Sequence, residues 1–347
     1  MTMVSRRAFL AALPGVAVKP AKGADADFER IDTHTHIHRT IPPLLAAMEK
    51  AGWKGLSICD SRERADEASA LPEMIRGTRQ AVAESKGRLA WATTFDPRAF
   101  EAADFAAWVN EGLRQNFAQG ALAVKIWKNV GMEVRSRFGE YLLPDHPVFA
   151  PILESIQRAD KTLLTHLADL DVAWKPVDAA NPDSGYYRSH PEWLMYGREG
   201  APTKETILKA RDRILARHPK LRVIGCHIGS SEEDLGRVAK GLDTYPNYAV
   251  DVASRVRFLA RQDREEVRQF MLKYSERVLY ATDYSPGAGN DEGAARSFLS
   301  THEQEWSFFA SGELLRFRDR EVRGLALPAK VLRRIFHENA VRWLRMS

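Results

Sequence analysis

Cysteine is scarce in this 347-residue chain, which contains only Cys59 and Cys226. Two thiols cannot build the multiple-disulfide framework of a small secreted scaffold, and a chain of this length does not need one. Each cysteine ends a short apolar run, which is typical of a buried thiol that packs as a small hydrophobic side chain. We therefore expect both cysteines to be free.

The sequence also lacks low-complexity tracts, internal repeats and a Pro/Gly-rich linker that would divide it. It contains no glycine-rich phosphate-binding loop and no motif for a redox cofactor. Without an N-terminal targeting segment, which is described below, the remaining length suits one large barrel domain or two ordinary domains. The absence of a linker favours a single domain.

Excess charge is confined to the beginning of the chain. The formal net charge is +5, but four of the 51 basic residues precede residue 24, where no acidic residue occurs. The rest of the chain carries 47 basic against 46 acidic residues. A near-neutral protein gives no electrostatic reason to bind nucleic acid or an anionic membrane, so we expect a small-molecule substrate.

Residues 1–26 have the pattern of an export signal. The sequence Ser-Arg-Arg-Ala-Phe-Leu at residues 5–10 leads into an apolar stretch that is too short to span a bilayer, and small residues follow. The arginine pair followed by x-Phe-Leu resembles a twin-arginine signal. We expect cleavage between residues 17 and 26, export to the periplasm or beyond, and no membrane insertion afterwards.

Short β-rich runs alternate with amphipathic helical stretches through residues 27–347. The predicted strands are Arg30–His34, Gly55–Cys59, Leu89–Phe95, Ala121–Trp127, Thr162–His166, Leu221–Cys226, Tyr248–Val252 and Val278–Thr282. Eight strands separated by helices imply right-handed βαβ units and an α/β fold, and eight is the number that closes a (β/α)8 TIM barrel. A doubly wound open sheet is the alternative. The charge clusters at 261–268 and 316–323 are predicted to be solvated helix faces.

Polar side chains stand at the ends of several predicted strands. His34 and His36 alternate on the first strand and therefore share a face. His166, His227 and Asp283 end the fifth, sixth and eighth runs. Because the carboxyl ends of barrel strands meet at one face, these groups are expected to converge there. Several imidazoles with one carboxylate suit a borderline divalent ion, zinc above others.

This ordered set resembles the amidohydrolase superfamily, in particular the amidohydrolase-related branch that includes aminocarboxymuconate-semialdehyde decarboxylase. The resemblance covers roughly residues 28–345. It implies that His34, His36, His166 and Asp283 ligate one metal ion, and that His227 orients or deprotonates a bound water. Members of this branch often form dimers, which leaves a homodimer open.

Basic and aromatic residues near the strand ends are candidates for the substrate pocket: Lys125, Trp127, Lys128, Arg188 and Arg255. The planar fork of arginine suits a substrate carboxylate, although a solvated or ion-paired arginine is the structural alternative. In binuclear branches of the superfamily a lysine at the position of Lys125 is carboxylated and bridges two metals. We predict an unmodified lysine here.

Metal-assisted hydrolysis of an amide, lactone or ester bond is the function that the sequence favours. A metal ion lowers the pKa of its bound water, and Asp283 can pass the released proton to a leaving group. The alternatives are non-oxidative decarboxylation of a small carboxylic acid at the same site, and a non-catalytic metal-binding barrel. The presence of the full ligand set together with His227 disfavours the last.

Overall fold

Eight parallel strands form the centre of the structure, a computed structural model that describes residues 27–61, 70–287, 289–317 and 320–346. Each strand pairs with the next in chain order, from β1 to β8. This order confirms the predicted TIM barrel and excludes the doubly wound sheet. The predicted export signal, residues 1–26, lies outside the described residues, so export stays a prediction.

The bounds of the elements are as follows. The barrel strands are β1 (Arg30–Thr35), β2 (Trp53–Ile58), β3 (Leu89–Thr94), β4 (Ala123–Ile126), β5 (Thr162–Thr165), β6 (Arg222–Gly225), β7 (Tyr248–Asp251) and β8 (Val278–Leu279). The longer helices are Pro42–Lys50, Ala70–Glu84, Phe105–Ala118, Ala150–Arg158, Lys204–Arg217, Leu235–Thr244, Arg264–Lys273 and Asp291–Ala310. Shorter helical segments are Asn129–Met132, Gly185–Ser189, Cys226–Ser230, Val256–Leu259, Ala329–Arg333, Arg334–Glu338 and Asn339–Leu344, and 3-10 turns are Pro97–Ala99, Pro147–Phe149, Asp171–Trp174, Pro182–Ser184 and Pro191–Trp193.

Side-chain caps fix where several of the outer helices begin. The Thr203 hydroxyl accepts a hydrogen bond from the backbone N–H of Thr206, and the Asp263 carboxylate accepts from the two amides that follow Arg264. Such caps satisfy backbone donors that the first helical turn leaves unpaired. Each helix then packs its apolar side on the outer face of the barrel.

The barrel closes where β1 meets the segment that follows β8. The backbone N–H of His36 donates to Tyr284 O at 2.7 Å, and the N–H of Asp283 donates to His34 O at 2.8 Å. Thr33 N–H donates to Tyr280 O at 3.0 Å, and an isolated parallel bridge joins Thr35 to Tyr284. This irregular pairing explains why β8 is shorter than the predicted strand.

One apolar residue from each strand forms the floor of the barrel interior. The contributors are Ile31, Leu56, Ala92, Ala123, Leu164, Ile224, Ala249 and Leu279. Trp343, Leu344 and Met346 pack against this layer. The carbonyl of Trp343 accepts hydrogen bonds from Thr162 and Arg222, the first residues of β5 and β6. The floor therefore lies at the amino ends of the strands, and the opposite end is left for polar side chains.

The charge clusters depart from their prediction. Residues 316–317 and 320–323 lie in the paired strands of an antiparallel hairpin, β9 (Leu314–Phe317) and β10 (Arg320–Arg323), so their assignment to a helix face was wrong. Arg264 and Arg268, in the other cluster, donate to the carbonyls of Gly324 and Leu325 just beyond that hairpin. These arginines therefore bind the backbone next to the hairpin and do not only face solvent. In the described ranges, every helix is too short or too polar to cross a membrane.

Both cysteines are buried and unpaired with each other, as predicted, and this can be tested by alkylation. Burial raises the pKa of Cys59 to about 12, so the reactive thiolate is not populated near neutral pH. Cys226 has no exposed surface. We expect iodoacetamide at pH 8 to leave both thiols of the native protein intact and to alkylate both in guanidinium. Mass spectrometry that found either cysteine modified in the native protein would contradict the buried positions.

Candidate metal centre

Polar side chains occupy the inward positions directly above the apolar floor. On β4 to β7, the residues two positions beyond the floor layer are Lys125, His166, Cys226 and Asp251. Because side chains of a strand return to the same face every second residue, these four point into the barrel at its carboxyl end. Along each of these strands, an apolar inward residue of the floor is followed two residues later by an inward residue of the polar layer.

β1 places His34 in the same polar layer because its pairing with β2 is irregular. Its register against β2 shifts between Asp32 and Thr35, which marks a β-bulge. The shift allows both Ile31 and His34 to face the interior, although they are three residues apart. Asp32 faces the other way and contacts His302 of the outer helix Asp291–Ala310 at 2.9 Å. The carboxylate of Asp32 also accepts the backbone N–H of His34, which fixes the backbone at the bulge.

His34, His36 and Asp283 bring their ligand atoms together. Asp283 Oδ1 lies 3.0 Å from His36 Nε2 and 3.4 Å from His34 Nε2. In a tetrahedral site with metal–ligand bonds of about 2.0–2.1 Å, ligand atoms are roughly 3.3–3.4 Å apart. The three side chains therefore have the spacing and the donor types that a divalent ion requires. Ser254 Oγ donates to the other oxygen of Asp283 at 3.2 Å and holds the carboxylate.

Three imidazoles of the site, those of His34, His36 and His227, have Nδ1 next to a hydrogen-bond acceptor. His34 Nδ1 lies 3.0 Å from Asp251 Oδ2, and His36 Nδ1 lies 2.9 Å from the carbonyl of Ile58. His227 Nδ1 lies 2.8 Å from the carbonyl of Ala253. An acceptor at Nδ1 requires a proton there, which in the neutral ring leaves the Nε2 lone pair for a metal ion or a proton.

His166 and His227 form the other side of the site. Their ring centroids are 4.1 Å apart, and the ring of His227 is 5.0 Å from that of His34. His166 Nε2 is buried, and among the described residues it has no hydrogen-bond partner. A buried polar atom without a partner is costly, so an ion or ligand group at this nitrogen would relieve an unfavourable contact. The predicted ligand role of His166 is compatible with this position.

The proton affinities of the site differ from residue to residue. Burial and Lys125 lower the pKa of His34, but Asp251 and Cys226 outweigh them and raise it to about 10. Burial raises the pKa of Asp283, yet His36, His34 and His227 bring it well below its usual range. A metal ion at Nε2 of His34 would compete with a proton for the same lone pair.

His166 and His227 are neutral near pH 7. Burial lowers the pKa of His166 to about 3, with Lys125 and Lys128 adding to the effect against Asp169. Burial, His166 and Arg255 bring the pKa of His227 well below its usual value. A neutral His227 can accept a proton at Nε2, which suits the role predicted for it beside the metal.

His227 lies in a left-handed turn that is supported by hydrogen bonds to the side chains of Asp251 and Arg211. His227, Ile228, Gly229 and Ser230 all have φ between 56° and 60°. Such conformations are unfavourable for residues with a side chain and need external support. Here the Asp251 carboxylate accepts the N–H of His227 at 2.7 Å, and Arg211 donates to the carbonyl of Gly229 at 2.8 Å. The strain is stored where the turn aims His227 into the site.

Lys128 lies in an aromatic enclosure beside the site. Its ammonium is 2.5 Å from Asp169 Oδ2 and 4.4 Å from the ring centre of Trp193. Asp169 Oδ1 is in turn 3.9 Å from His166 Nε2. The partly exposed Trp127 packs edge-on against Trp193 at 4.9 Å. The loop after β5 thus reaches the metal centre through this ion pair.

The two candidate arginines have different surroundings. Arg255 is buried, and its Nε lies 3.5 Å from Glu232 Oε2 without forming a hydrogen bond. Its positive charge helps to lower the pKa of His227. Arg188 is exposed to solvent, and its pocket role stays a prediction.

Two site residues were not predicted from the sequence as part of the centre. Asp251 ends β7 and joins His34 to His227, whereas Cys226 was expected only as a buried thiol. Cys226 Sγ is 3.2 Å from Lys125 Nζ, and Lys125 Nζ is 3.3 Å from His34 Nε2. Both residues lie two positions after a residue of the apolar floor, Ile224 for Cys226 and Ala249 for Asp251, and this spacing would have indicated them.

The sequence model of a family described as Amidohydrolase matches residues 31–346 of the chain. No curated protein sequence matches it significantly. Among solved structures, 5-carboxyvanillate decarboxylase from Novosphingobium aromaticivorans, complexed with manganese and 4-hydroxy-3-methoxy-5-nitrobenzoic acid, is similar at a TM-score of 0.55 and 15% identity, over 93% of this chain and 97% of that one.

Two further structures have the same fold. One is 2,6-dihydroxybenzoate decarboxylase complexed with 2,6-dihydroxybenzoate, with a TM-score of 0.54 and 14% identity over 92% of this chain and 99% of the other. An amidohydrolase II has a TM-score of 0.52 and 17% identity, over 91% of this chain and 100% of its own. At these identities the similarity shows the barrel fold alone.

The left-handed turn makes Gly229 sensitive to substitution. A methyl group on Gly229 would overlap the Tyr248 hydroxyl and would occupy a backbone conformation that disfavours side chains. We expect Gly229→Ala to reduce the free energy of unfolding by about 2–4 kcal/mol. Tyr248→Phe removes a buried hydroxyl with no hydrogen-bond partner in the described chain, so it should be nearly neutral alone and should partly rescue Gly229→Ala. Urea unfolding measures all three variants, and full stability of Gly229→Ala would refute the strained turn.

Proposed function

This chain belongs to the amidohydrolase family, and from that membership we propose that it is a metal-dependent decarboxylase of a small carboxylic acid. The observation that carries the proposal is the buried ammonium of Lys125 at the edge of the metal centre. Its Nζ contacts an imidazole nitrogen and a thiol, and in the described parts of the chain no carboxylate forms an ion pair with it. A substrate carboxylate would supply the missing anion.

The candidate ligands of the divalent ion are His34, His36 and Asp283, with His166 as a fourth. The unpartnered Nε2 of His166 and the spacing of the other ligand atoms support this set. A bound divalent ion supplies positive charge that polarises a substrate oxygen. Zinc was favoured from the sequence. The manganese in a decarboxylase of similar fold makes that ion an equal candidate.

The chain's own residues would bind the substrate and handle the proton. Non-oxidative decarboxylation breaks the bond between the carboxylate and its carbon, releases carbon dioxide and forms a C–H bond at that carbon. Lys125 would bind and orient the carboxylate. His227 would take a proton from solvent at Nε2 and deliver it to that carbon, because its Nδ1 proton is committed to the carbonyl of Ala253. Trp127 and the Lys128 enclosure would bound the pocket on the side of the loop after β5.

Metal-assisted hydrolysis is the second candidate, and it was the preferred one from the sequence. A neutral His227 beside the metal ligands is suited to take a proton from water, and an amidohydrolase II shares the fold. The decarboxylases of similar fold support decarboxylation at least as well. The position of Lys125 decides our preference, since a hydrolase substrate need not carry a carboxylate.

The metal centre can be tested by elemental analysis of the purified protein. We expect about one transition-metal ion per chain, and much less in His34→Ala, because that variant removes a predicted ligand. Asp283→Asn should fold normally and lose turnover. Arg188→Gln, which alters an exposed side chain, serves as the control and should retain the metal. About two ions per chain would place Lys125 among the ligands of a binuclear hydrolase, and none after reconstitution would remove the basis of the proposal.

Lys125 can be tested with Lys125→Met, assayed for carbon dioxide release from 2,6-dihydroxybenzoate, 5-carboxyvanillate and related acids. Loss of one charged hydrogen bond to the substrate should lower kcat/KM roughly 10- to 150-fold, with metal content unchanged. Lys209→Met, at an exposed lysine, is the matched control. A mass increase on native Lys125 from carboxylation, together with metal loss in Lys125→Met, would instead support a bridging role.

A further inference from the structure

Asp251, at the carboxyl end of β7, contacts both the predicted metal ligand His34 and the backbone turn that carries His227. The residue is 1% exposed. Its Oδ2 lies 3.0 Å from His34 Nδ1. Its Oδ1 accepts the backbone N–H groups of His227 at 2.7 Å and of Ala253 at 3.1 Å. A single carboxylate therefore joins a predicted metal ligand to the turn that carries the predicted base.

The contact with His34 decides which nitrogen of the ring is available. An ionised carboxylate can only accept hydrogen bonds, so His34 must keep a proton on Nδ1. Metal binding then requires Nε2, and Nε2 is the atom that faces Asp283 at 3.4 Å. A carboxylate behind a ligating imidazole is a known means of fixing the orientation and basicity of the ring.

The contacts with the two backbone amides decide the orientation of the carboxylate itself. Both donors converge on Oδ1, which leaves Oδ2 directed at His34. The amide of His227 belongs to the first residue of the left-handed turn, where φ is 60°. The same carboxylate therefore supports the backbone that aims His227 into the site.

We infer that Asp251 is a positioning residue that holds the protonation pattern of His34 and the orientation of His227 at the same time. This inference rests on the proposed metal centre. It extends that centre by one residue that touches neither metal nor substrate. It also explains how His34 on β1 and His227 after β6, which are far apart in the sequence, keep their ring centroids 5.0 Å apart.

The substitution Asp251→Asn gives a sharp prediction because asparagine is nearly isosteric. The two backbone donors would keep the amide oxygen in the place of Oδ1, so the NH₂ group would face His34 Nδ1. That nitrogen would have to become an acceptor, and the ring proton would move to Nε2, where it blocks metal binding. The fold should be retained, while the protonation pattern of one histidine reverses.

The first experiment is NMR of metal-free protein labelled with ¹⁵N-histidine, with the His34 signal assigned from its loss in His34→Gln. We expect a protonated Nδ1 in the wild type and an unprotonated Nδ1 in Asp251→Asn. An unprotonated Nδ1 in the wild type would overturn the inference even if the variant failed to fold. An unchanged signal in a folded variant would overturn it as well.

The second experiment is zinc and manganese affinity by competition with a chelator. Asp251→Asn should bind each metal roughly 10- to 100-fold more weakly than the wild type. Asp183→Asn is the matched control, because Asp183 is a buried carboxylate whose ion pairs are with Arg257 and Arg261. Equal affinity in wild type and Asp251→Asn would refute the positioning role and leave the metal centre standing. Failure of the wild type to bind either metal would refute the proposed function, while the NMR result would still decide the role of Asp251.

Discussion

The return of strand side chains to one face every second residue is the constraint on which the site depends. In β4 to β7, one inward position belongs to the apolar floor and the next belongs to the polar layer above it. The floor excludes water from the lower half of the barrel, so the charged and polar groups above it interact in a low-dielectric environment. Without the floor, the same groups would be solvated and their mutual interactions would weaken.

Placing several ionisable groups in such an environment is unfavourable unless each has a partner. The structure meets this requirement by joining acids and bases across strands. Asp251 bonds His34, Asp169 bonds Lys128, and Asp32 contacts His302 behind β1. Two atoms are therefore informative among the described residues: Lys125 Nζ forms no ion pair with a carboxylate, and His166 Nε2, which lies 3.9 Å from Asp169 Oδ1, has no hydrogen-bond partner. In a well-satisfied polar layer, they mark where a ligand completes the pattern.

Much of the fold and part of the site follow from the sequence, because strands and helices alternate and His34, His36, His166, His227 and Asp283 end strands or follow them directly. The bulge in β1 has no sequence signal, since it depends on register against β2. Asp251 was missed because it lies inside an apolar run, where the pattern suggested only a buried strand. Contacts across the barrel, such as Cys226 with Lys125, depend on strand register and tilt, which single-strand patterns do not specify.

The seam between β1 and the segment after β8 has a consequence for how the protein matures. Asp283 is joined to His34 and His36 only through that seam, and about 250 residues of chain lie between them. A nascent chain that has emerged only as far as β7 holds the three histidines of the candidate ligand set, His34, His36 and His166, without their carboxylate. The centre is assembled late, after most of the barrel has been synthesised and the ends of the sheet have met. Under the proposed function, a metal ion would be held by the full ligand set only once the sheet is complete, so that a loaded centre would report a closed barrel.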